Sequence, residues 1–191
     1  MSPRSKKQFE DIKKQKKKEI MQAALETFGT MGYHAATISQ ITKKAKISKG
    51  LIYSYFDSKE ALLKEVVIQG LESIFNIFDP NKDGVLTEDE FEYFIDKMFN
   101  VLQNNHKFWK LYFSVLITEE VLEIVEQQIT AYIQPFIETL TDYYRRHNKA
   151  NPEIHATMFG SMLDGVSMGC IIDPKNYPVE EVKKLLIEKF K

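Results

Sequence analysis

Apolar residues recur with a helical period along almost the whole chain. Near the start, Ile20, Ala24 and Phe28 are four residues apart, with Met21 and Leu25 beside them. This spacing places apolar side chains on one face of an α-helix. No stretch alternates polar and apolar residues with period two, as a half-buried strand would. The pattern therefore predicts an all-α protein.

Capping residues and helix breakers divide this pattern into about nine or ten predicted helices. Thr37, Ser48 and Ser58 are N-cap candidates, and Pro152 opens another apolar run. The predicted interruptions lie at 29–32, 46, 57, 79–84, 147–151 and 173–178. No internal repeat or low-complexity linker separates the predicted helices.

Two of the predicted helices, Ile38–Ala45 and Ser48–Tyr55, are short and separated by very few residues. This is the outline of a helix-turn-helix, whose second helix enters the major groove of DNA. The predicted shared core is Ile38, Ile41, Ala45, Ile47, Leu51 and Ile52, and the predicted outward residues are Ser39, Lys43, Lys44, Lys49 and Ser54. An ordinary helical hairpin with a charged face would show the same outline.

The net charge of -1 conceals an uneven distribution along the chain. The first 60 residues contain 13 Lys and Arg against 6 Asp and Glu, and the remainder contains 13 against 21. A basic third joined to an acidic body favours a polyanion such as nucleic acid as a partner. The alternative is a solvated lysine-rich tail, since the stretch Lys6–Lys18 alone holds seven of those charges.

The amino-acid composition bears on disulfide bonds, membrane spans and the cellular compartment of the protein. Cys170 is the single cysteine, which excludes an internal disulfide and fits a reducing compartment. No apolar run approaches the roughly 18 residues of a membrane span, and the first twenty residues are lysine-rich rather than apolar. We therefore expect a cytoplasmic protein without a membrane partner.

The segment GYHAATISQITKKAKISKGLIYSYFDSKEALL closely resembles the DNA-binding segment of the TetR family of bacterial transcription regulators. The resemblance covers about residues 15–63. The matching positions are Ala23, Ala24, Phe28, Gly32, Tyr33, Thr37, Ile38, Ile41, Ala45, Ile47, Ser48, Gly50, Tyr53, Tyr55, Phe56, Lys59 and Glu60. Leu51 stands where many relatives have threonine, and Lys46 where many have glycine. These departures leave the base preference open.

The resemblance implies a role for individual residues. Thr37 would cap the first helix of the motif against a phosphate, and Tyr53 and Tyr55 would contact the DNA backbone. Lys59, at the start of the fourth helix, would bind a phosphate. The groove-facing candidates are Ser48, Lys49, Gly50 and Leu51.

Family members are generally homodimers that recognise a near-palindromic operator, because one helix-turn-helix reads only a half-site. The resemblance implies dimerisation through the last two long helices, about Val121–Arg146 and Pro152–Ile171. Small residues on the second of these would allow close approach: Gly160, Ser161, Gly165, Ser167 and Gly169. They would equally admit internal packing or a ligand. We expect a DNA-binding domain at 1–60 and a ligand-binding and dimerisation domain at 61–191.

Residues 79–90 match the EF-hand calcium loop. The predicted ligands for Ca²⁺ or Mg²⁺ are Asp79, Asn81, Asp83, the carbonyl of Val85, Thr87 through a water molecule, and Glu90. Gly84 permits the sharp turn. The same residues also suit a helix-ending turn followed by an acidic helix start. EF-hands normally occur in pairs, and the sequence contains no second loop.

The resemblance also implies a small apolar ligand that binds in the second domain and releases DNA. Aromatic residues and methionines suited to such a pocket, with two polar groups, are Trp109, Phe113, Met158, Met162, Tyr112 and His155. At helical spacing, each of these is also an ordinary core candidate. The predicted regulator requires no cofactor.

Nothing in the sequence favours an enzyme, since motifs such as GxSxG, HExxH, the P-loop and GxGxxG are absent. Two hypotheses of different class remain. The preferred one is a dimeric DNA-binding regulator, a repressor released by a small ligand. The alternative is a calcium-binding interaction protein whose basic N-terminal helices bind a protein or an anionic surface.

Overall fold

The computed structural model describes residues 6–191, which form nine helices and contain no strand. The helices are α1 (Lys6–Met31), α2 (Ile38–Ala45), α3 (Lys49–Tyr53), α4 (Lys59–Phe75), α5 (Glu88–Asn104), α6 (His106–Leu116), α7 (Glu119–Arg146), α8 (Pro152–Ile172) and α9 (Val179–Phe190). The all-α prediction is therefore confirmed.

The chain divides into two compact units. Unit 1 comprises the described residues up to Gln69 together with Leu111–Val125, and unit 2 comprises Gly70–Lys110 and Glu126–Lys191. The first five residues of the predicted domain 1–60 lie outside the described residues. The predicted division into 1–60 and 61–191 stays a prediction.

Unit 1 has an apolar core to which α1 to α4 all contribute. Ile20 and Phe28 of α1, Ile41 of α2, Ile52 of α3 and Leu62 of α4 are almost completely buried. Complete burial of a side chain of this kind stabilises a fold by roughly 1.5–3 kcal/mol. The periodic apolar residues near the start of the chain thus hold the two short helices α2 and α3 in place.

Unit 2 is built around aromatic rings from α5, α7 and α8. Phe91 stacks on Tyr143 with centroids 5.5 Å apart, and it also contacts Phe159 at 4.9 Å. Phe78 and Phe136 form an edge contact at 4.5 Å. These rings fill the interior of the unit.

Within residues 6–191 no helix combines the length and the apolar character that a membrane span requires.

Candidate nucleic-acid interface

Side-chain caps define where α2 and α3 begin. Thr37 Oγ1 accepts the N–H of Gln40 at 3.3 Å, and Gln40 Oε1 accepts the N–H of Thr37 at 2.8 Å. At the start of α3, Ser48 Oγ accepts the N–H of Leu51 at 3.2 Å. Caps of this kind each stabilise a helix by about 1 kcal/mol. The N-caps predicted at Thr37 and Ser48 are therefore present.

The turn between α2 and α3 contains a residue in the left-handed backbone region. Lys46 has φ 54° and ψ 47°, and the next residue, Ile47, donates its N–H to Thr42 O at 3.0 Å. A non-glycine residue costs roughly 1–2 kcal/mol in this conformation. The chain thus keeps a left-handed turn between the two helices even though it has lysine there.

Helix α3 separates one buried residue from an exposed face. Ile52 is in the core, while Lys49 and Gly50 are exposed, Leu51 is 38% exposed and Tyr53 is 52% exposed. The prediction that Leu51 belongs to the shared core was wrong, because the helix directs it outward. A Cβ built on Gly50 would meet no atom within 4 Å, so the fold itself does not require glycine there. A surface without that side chain allows close approach by another molecule.

Lys59 is held by carbonyl oxygens of the segment before α2. Its Nζ donates to the carbonyls of Tyr33, Ala36 and His34 at 2.9, 3.1 and 3.3 Å, and lies 4.3 Å from the centre of the Tyr33 ring. An ammonium group has three N–H donors, so all three are engaged. In this position Lys59 ties the start of α4 to residues 33–36, and a phosphate contact would require one of these bonds to break. The other tyrosine implied to contact the DNA backbone, Tyr55, is half-buried with its ring 6.4 Å from that of Phe56.

The basic charge of unit 1 is partly paired. Lys44 forms an ion pair with Glu26 at 3.0 Å, and Lys17 forms one with Glu65 at 2.8 Å. Exposed lysines that the ion pairs do not include are Lys7, Lys13, Lys14, Lys18, Lys43, Lys46 and Lys49. Such a surface attracts a polyanion in a salt-dependent way.

The predicted metal loop adopts a compact turn. Asp79 Oδ2 accepts the N–H of Gly84 at 2.9 Å, and Asp83 Oδ1 accepts the N–H of Val85 at 2.8 Å. Glu90 Oε2 accepts the N–H of Thr87 at 3.0 Å, as part of a capping box that begins α5. Asn81 Oδ1 accepts the N–H of Asp83 at 3.1 Å. In the described part of the chain no group of three or more His, Cys, Asp or Glu residues is placed to hold a metal.

The residues predicted to line a ligand pocket are not all in one place. Trp109 is buried in unit 2 with its indole N–H donated to Val101 O at 3.1 Å. Tyr112 is buried in unit 1, where its hydroxyl donates to Val67 O at 3.0 Å and burial raises its pKa. Phe113, also in unit 1, has an intermediate exposure.

The other three predicted pocket residues are on α8. His155 is half-buried, with its ring 5.5 Å from that of Tyr144. Met158 is 54% exposed and Met162 is 44% exposed, so both are on the surface of unit 2. Two buried hydroxyls that the sequence did not indicate, those of Tyr143 and Tyr144, have no hydrogen-bond partner among the described residues. Only packing reveals that these hydroxyls are enclosed, so no sequence signal distinguishes them.

Helix α8 also carries an exposed apolar stripe that sequence analysis missed. Ile154 is 59% exposed and lies four and eight residues before Met158 and Met162, so the three share one face of the helix. Ser161 and Gly165 are exposed on the same face. The other small residues pack inside the unit: Gly160 against Ile137, Gly169 against Tyr177, and Ser167 in the core.

Residues 20–66 match the family model described as bacterial regulatory proteins, tetR family. The chain is 30% identical to the HTH-type transcriptional regulator YuxN of Bacillus subtilis over 81% of its own length and 53% of that protein. It is 25% identical to the HTH-type transcriptional regulator UidR of Escherichia coli over 81% of its length and 79% of that protein. The chain thus spans about half the length of the first of these relatives.

Among solved structures, the regulator FadR of Bacillus subtilis in complex with stearoyl-CoA is similar in fold. It has a TM-score of 0.72 and 19% sequence identity over 91% of this chain and 96% of that chain. The predicted resemblance to TetR-type regulators is confirmed. All three proteins named here are regulators, so the alternative of a calcium-binding interaction protein gains no support from them.

Proposed function

Because the chain carries the DNA-binding domain of the tetR family of bacterial regulatory proteins at residues 20–66, we propose that it is a dimeric transcriptional repressor. It binds a near-palindromic operator and leaves it when a small apolar ligand binds. A protein with this activity acts where the DNA is, in the bacterial cytoplasm.

The observation that carries the proposal is the exposed face of α3. Its N-cap is satisfied and Ile52 anchors it in the core, while Lys49, Leu51 and Tyr53 project outward around the bare backbone of Gly50. A lysine at the start of such a helix suits hydrogen bonding to base edges, and a tyrosine hydroxyl suits a phosphate. In the proposed interface Ser48 stays a cap, and Tyr55 and Thr37 lie at the edge of the DNA contact.

A gel-shift titration tests this activity. The purified protein is titrated against the DNA upstream of its own gene and against a scrambled sequence of equal length. We expect tight binding to the upstream DNA alone. Weak, equal and salt-sensitive binding to both would show only electrostatic attraction and would contradict the proposal for this site.

Two variants separate base reading from positioning in the same titration. Lys49→Ala removes a side chain proposed to read bases, so it weakens operator binding by about 1–3 kcal/mol and alters base preference. Tyr53→Phe removes only a hydroxyl proposed to contact phosphate, so it weakens binding nearly uniformly across sequences. Equal losses on matched and scrambled DNA for Lys49→Ala would contradict its base-reading role.

In the proposed dimer, the two protomers contact each other through the exposed apolar stripe on α8. Ile154, Met158 and Met162 form a continuous apolar face beside Ser161 and Gly165, and small residues let helices approach closely. A two-fold axis across this face would pack the stripe against its own copy and remove it from water. The pairing would set the spacing of the two DNA-binding units.

Sedimentation velocity tests this interface with a matched pair of variants. Met158→Glu places a charge in the centre of the stripe and is expected to shift the protein to monomers. Leu185→Glu makes a comparable change at an exposed apolar residue of α9, and it is expected to leave the dimer intact. If both variants remain dimeric, the interface lies elsewhere.

The small ligand that is proposed to release the protein from DNA binds in unit 2. It has an apolar body that carries polar groups. The interior of the unit contains packed aromatic rings together with the buried, unpartnered hydroxyls of Tyr143 and Tyr144. FadR, which is similar in fold, is described in complex with stearoyl-CoA, and we propose a ligand with a long apolar portion here too. Screening fatty acids and acyl thioesters for release of the gel-shifted complex tests this part of the proposal.

A further inference from the structure

The loop 79–90 lies in unit 2, outside the residues proposed to contact DNA, and its surroundings anchor it firmly. Phe78 directly before it, Leu86 within it and Phe91 directly after it are buried. Arg146 at the end of α7 donates from Nη2 to Leu86 O at 2.8 Å. The loop is therefore a fixed part of unit 2, held from both ends and from the middle.

The carboxylate of Asp79 in this loop has one oxygen with a partner and one without. Oδ2 accepts the N–H of Gly84 at 2.9 Å, which closes the turn. Oδ1 has less than 1 Å² of accessible surface and no hydrogen-bond partner among the described residues. An enclosed carboxylate oxygen without a partner is costly, because it has lost its hydration and gained nothing in return. A bound cation is one partner that would compensate for this loss.

Asp79 is also the first ligand position of the EF-hand pattern, and the remaining donors follow at the required spacing. Asn81 and Asp83 supply side-chain oxygens, Val85 a carbonyl, and Glu90 a carboxylate at the twelfth position. Gly84, at the sixth position, has the positive φ of 74° that the sharp turn needs. We propose that loop 79–90 binds one Ca²⁺ ion per chain, with the enclosed Oδ1 of Asp79 as a ligand.

Among the described residues the acidic ligands of the loop are not yet grouped as they would be around an ion, and Glu90 is the ligand that must move. Its carboxylate now accepts the N–H and the hydroxyl of Thr87 at 3.0 and 2.8 Å, in the capping box of α5. Binding requires this side chain to turn from the cap towards the ion, while Thr87 Oγ1 continues to accept the N–H of Glu90. An oxygen-only set with a bidentate carboxylate and flexible geometry suits Ca²⁺, whereas Mg²⁺ demands a stricter octahedron.

Isothermal titration of the metal-free, full-length protein with Ca²⁺ tests the proposal. We expect a single site with a Kd of about 10⁻⁵–10⁻³ M, between the weakest calcium sensors and the weak extracellular calcium modules. Glu90→Gln keeps the capping box, which accepts glutamine at this position, but removes the bidentate carboxylate. It is expected to weaken binding by at least about tenfold. Asp89→Asn is the matched control, since it removes one charge from the neighbouring residue, which has no ligand role.

Each result supports or overturns the calcium assignment. Selective weakening by Glu90→Gln, with Asp89→Asn within about twofold of the parent, supports it. Equal weakening by both variants would indicate diffuse attraction of cations to an acidic helix start and would overturn the site. Absence of saturable binding up to about 10 mM Ca²⁺, or binding of Mg²⁺ equally well, would also overturn it. The binding measurement contains no DNA, so it is independent of the proposed repressor activity.

Discussion

Lys59→Met is the substitution that best separates a structural from a DNA-binding role. The resemblance to TetR regulators implies a phosphate ligand at Lys59, whereas the structure uses its three N–H donors on three carbonyls at 2.9–3.3 Å. The variant keeps the aliphatic stem and removes the charge. We therefore expect the main loss to be in the stability of unit 1.

The expected loss can be worked from these contacts. A hydrogen bond from a charged group contributes about 1.5–3 kcal/mol, and the three bonds share one partly exposed ammonium group, so they do not add. The contact of Nζ with the Tyr33 ring adds about 0.5–1 kcal/mol at an exposed site. Together these give an expected decrease of about 2–4 kcal/mol in the free energy of unfolding.

Urea unfolding followed by far-UV circular dichroism measures this loss. Hydrogen exchange of residues 33–62 assigns it to unit 1. Lys43→Met is the control, since Lys43 is exposed on α2, and it is expected to change stability by no more than about 0.5 kcal/mol. If Lys59→Met is as stable as this control but binds DNA uniformly more weakly, with a salt slope reduced by about one, the structural reasoning is refuted.

Two further predictions concern unit 2. Gly169→Ala places a Cβ 2.5 Å from the Tyr177 ring, so we expect thermal unfolding to show a loss of about 1–3 kcal/mol, and an unchanged melting temperature would contradict this packing. The ion pair of Asp96 with Lys183, 2.6 Å long, lowers the pKa of Asp96. Because a lowered carboxyl pKa stabilises the fold above the unfolded pKa of about 3.9, this contribution is present at neutral pH and is lost as the pH falls through the folded pKa. The Lys183 side chain is 13% exposed but Asp96 is 45% exposed, so solvent screens the pair and Lys183→Met should cost less than about 1 kcal/mol at neutral pH. This cost should shrink as the pH falls below about 3.9, and a cost that does not change with pH would refute the assignment.

Exposure explains why sequence analysis assigned some residues wrongly or incompletely. Leu51 is apolar and lies close in sequence to residues of the core. Helix α3 has only five residues and directs Ile52 into the core, so the adjacent Leu51 faces outward. Met158 and Met162 have the composition expected of a ligand pocket, yet they lie on the exposed face of α8. Periodicity identifies a face of a helix, but it does not reveal what covers that face.

Structural features that depend on neighbours in the chain can be predicted from the amino-acid sequence alone. The helical spacing of apolar residues, the N-caps at Thr37 and Ser48 and the helix breakers each involve residues only a few positions apart. The all-α fold and the helix-turn-helix could therefore be predicted. The carbonyl contacts of Lys59, the exposure of the stripe on α8 and the enclosure of Asp79 Oδ1 are visible only once the chain is folded. These depend on which distant segments surround a side chain, and burial and pairing of that kind follow from packing rather than from local pattern.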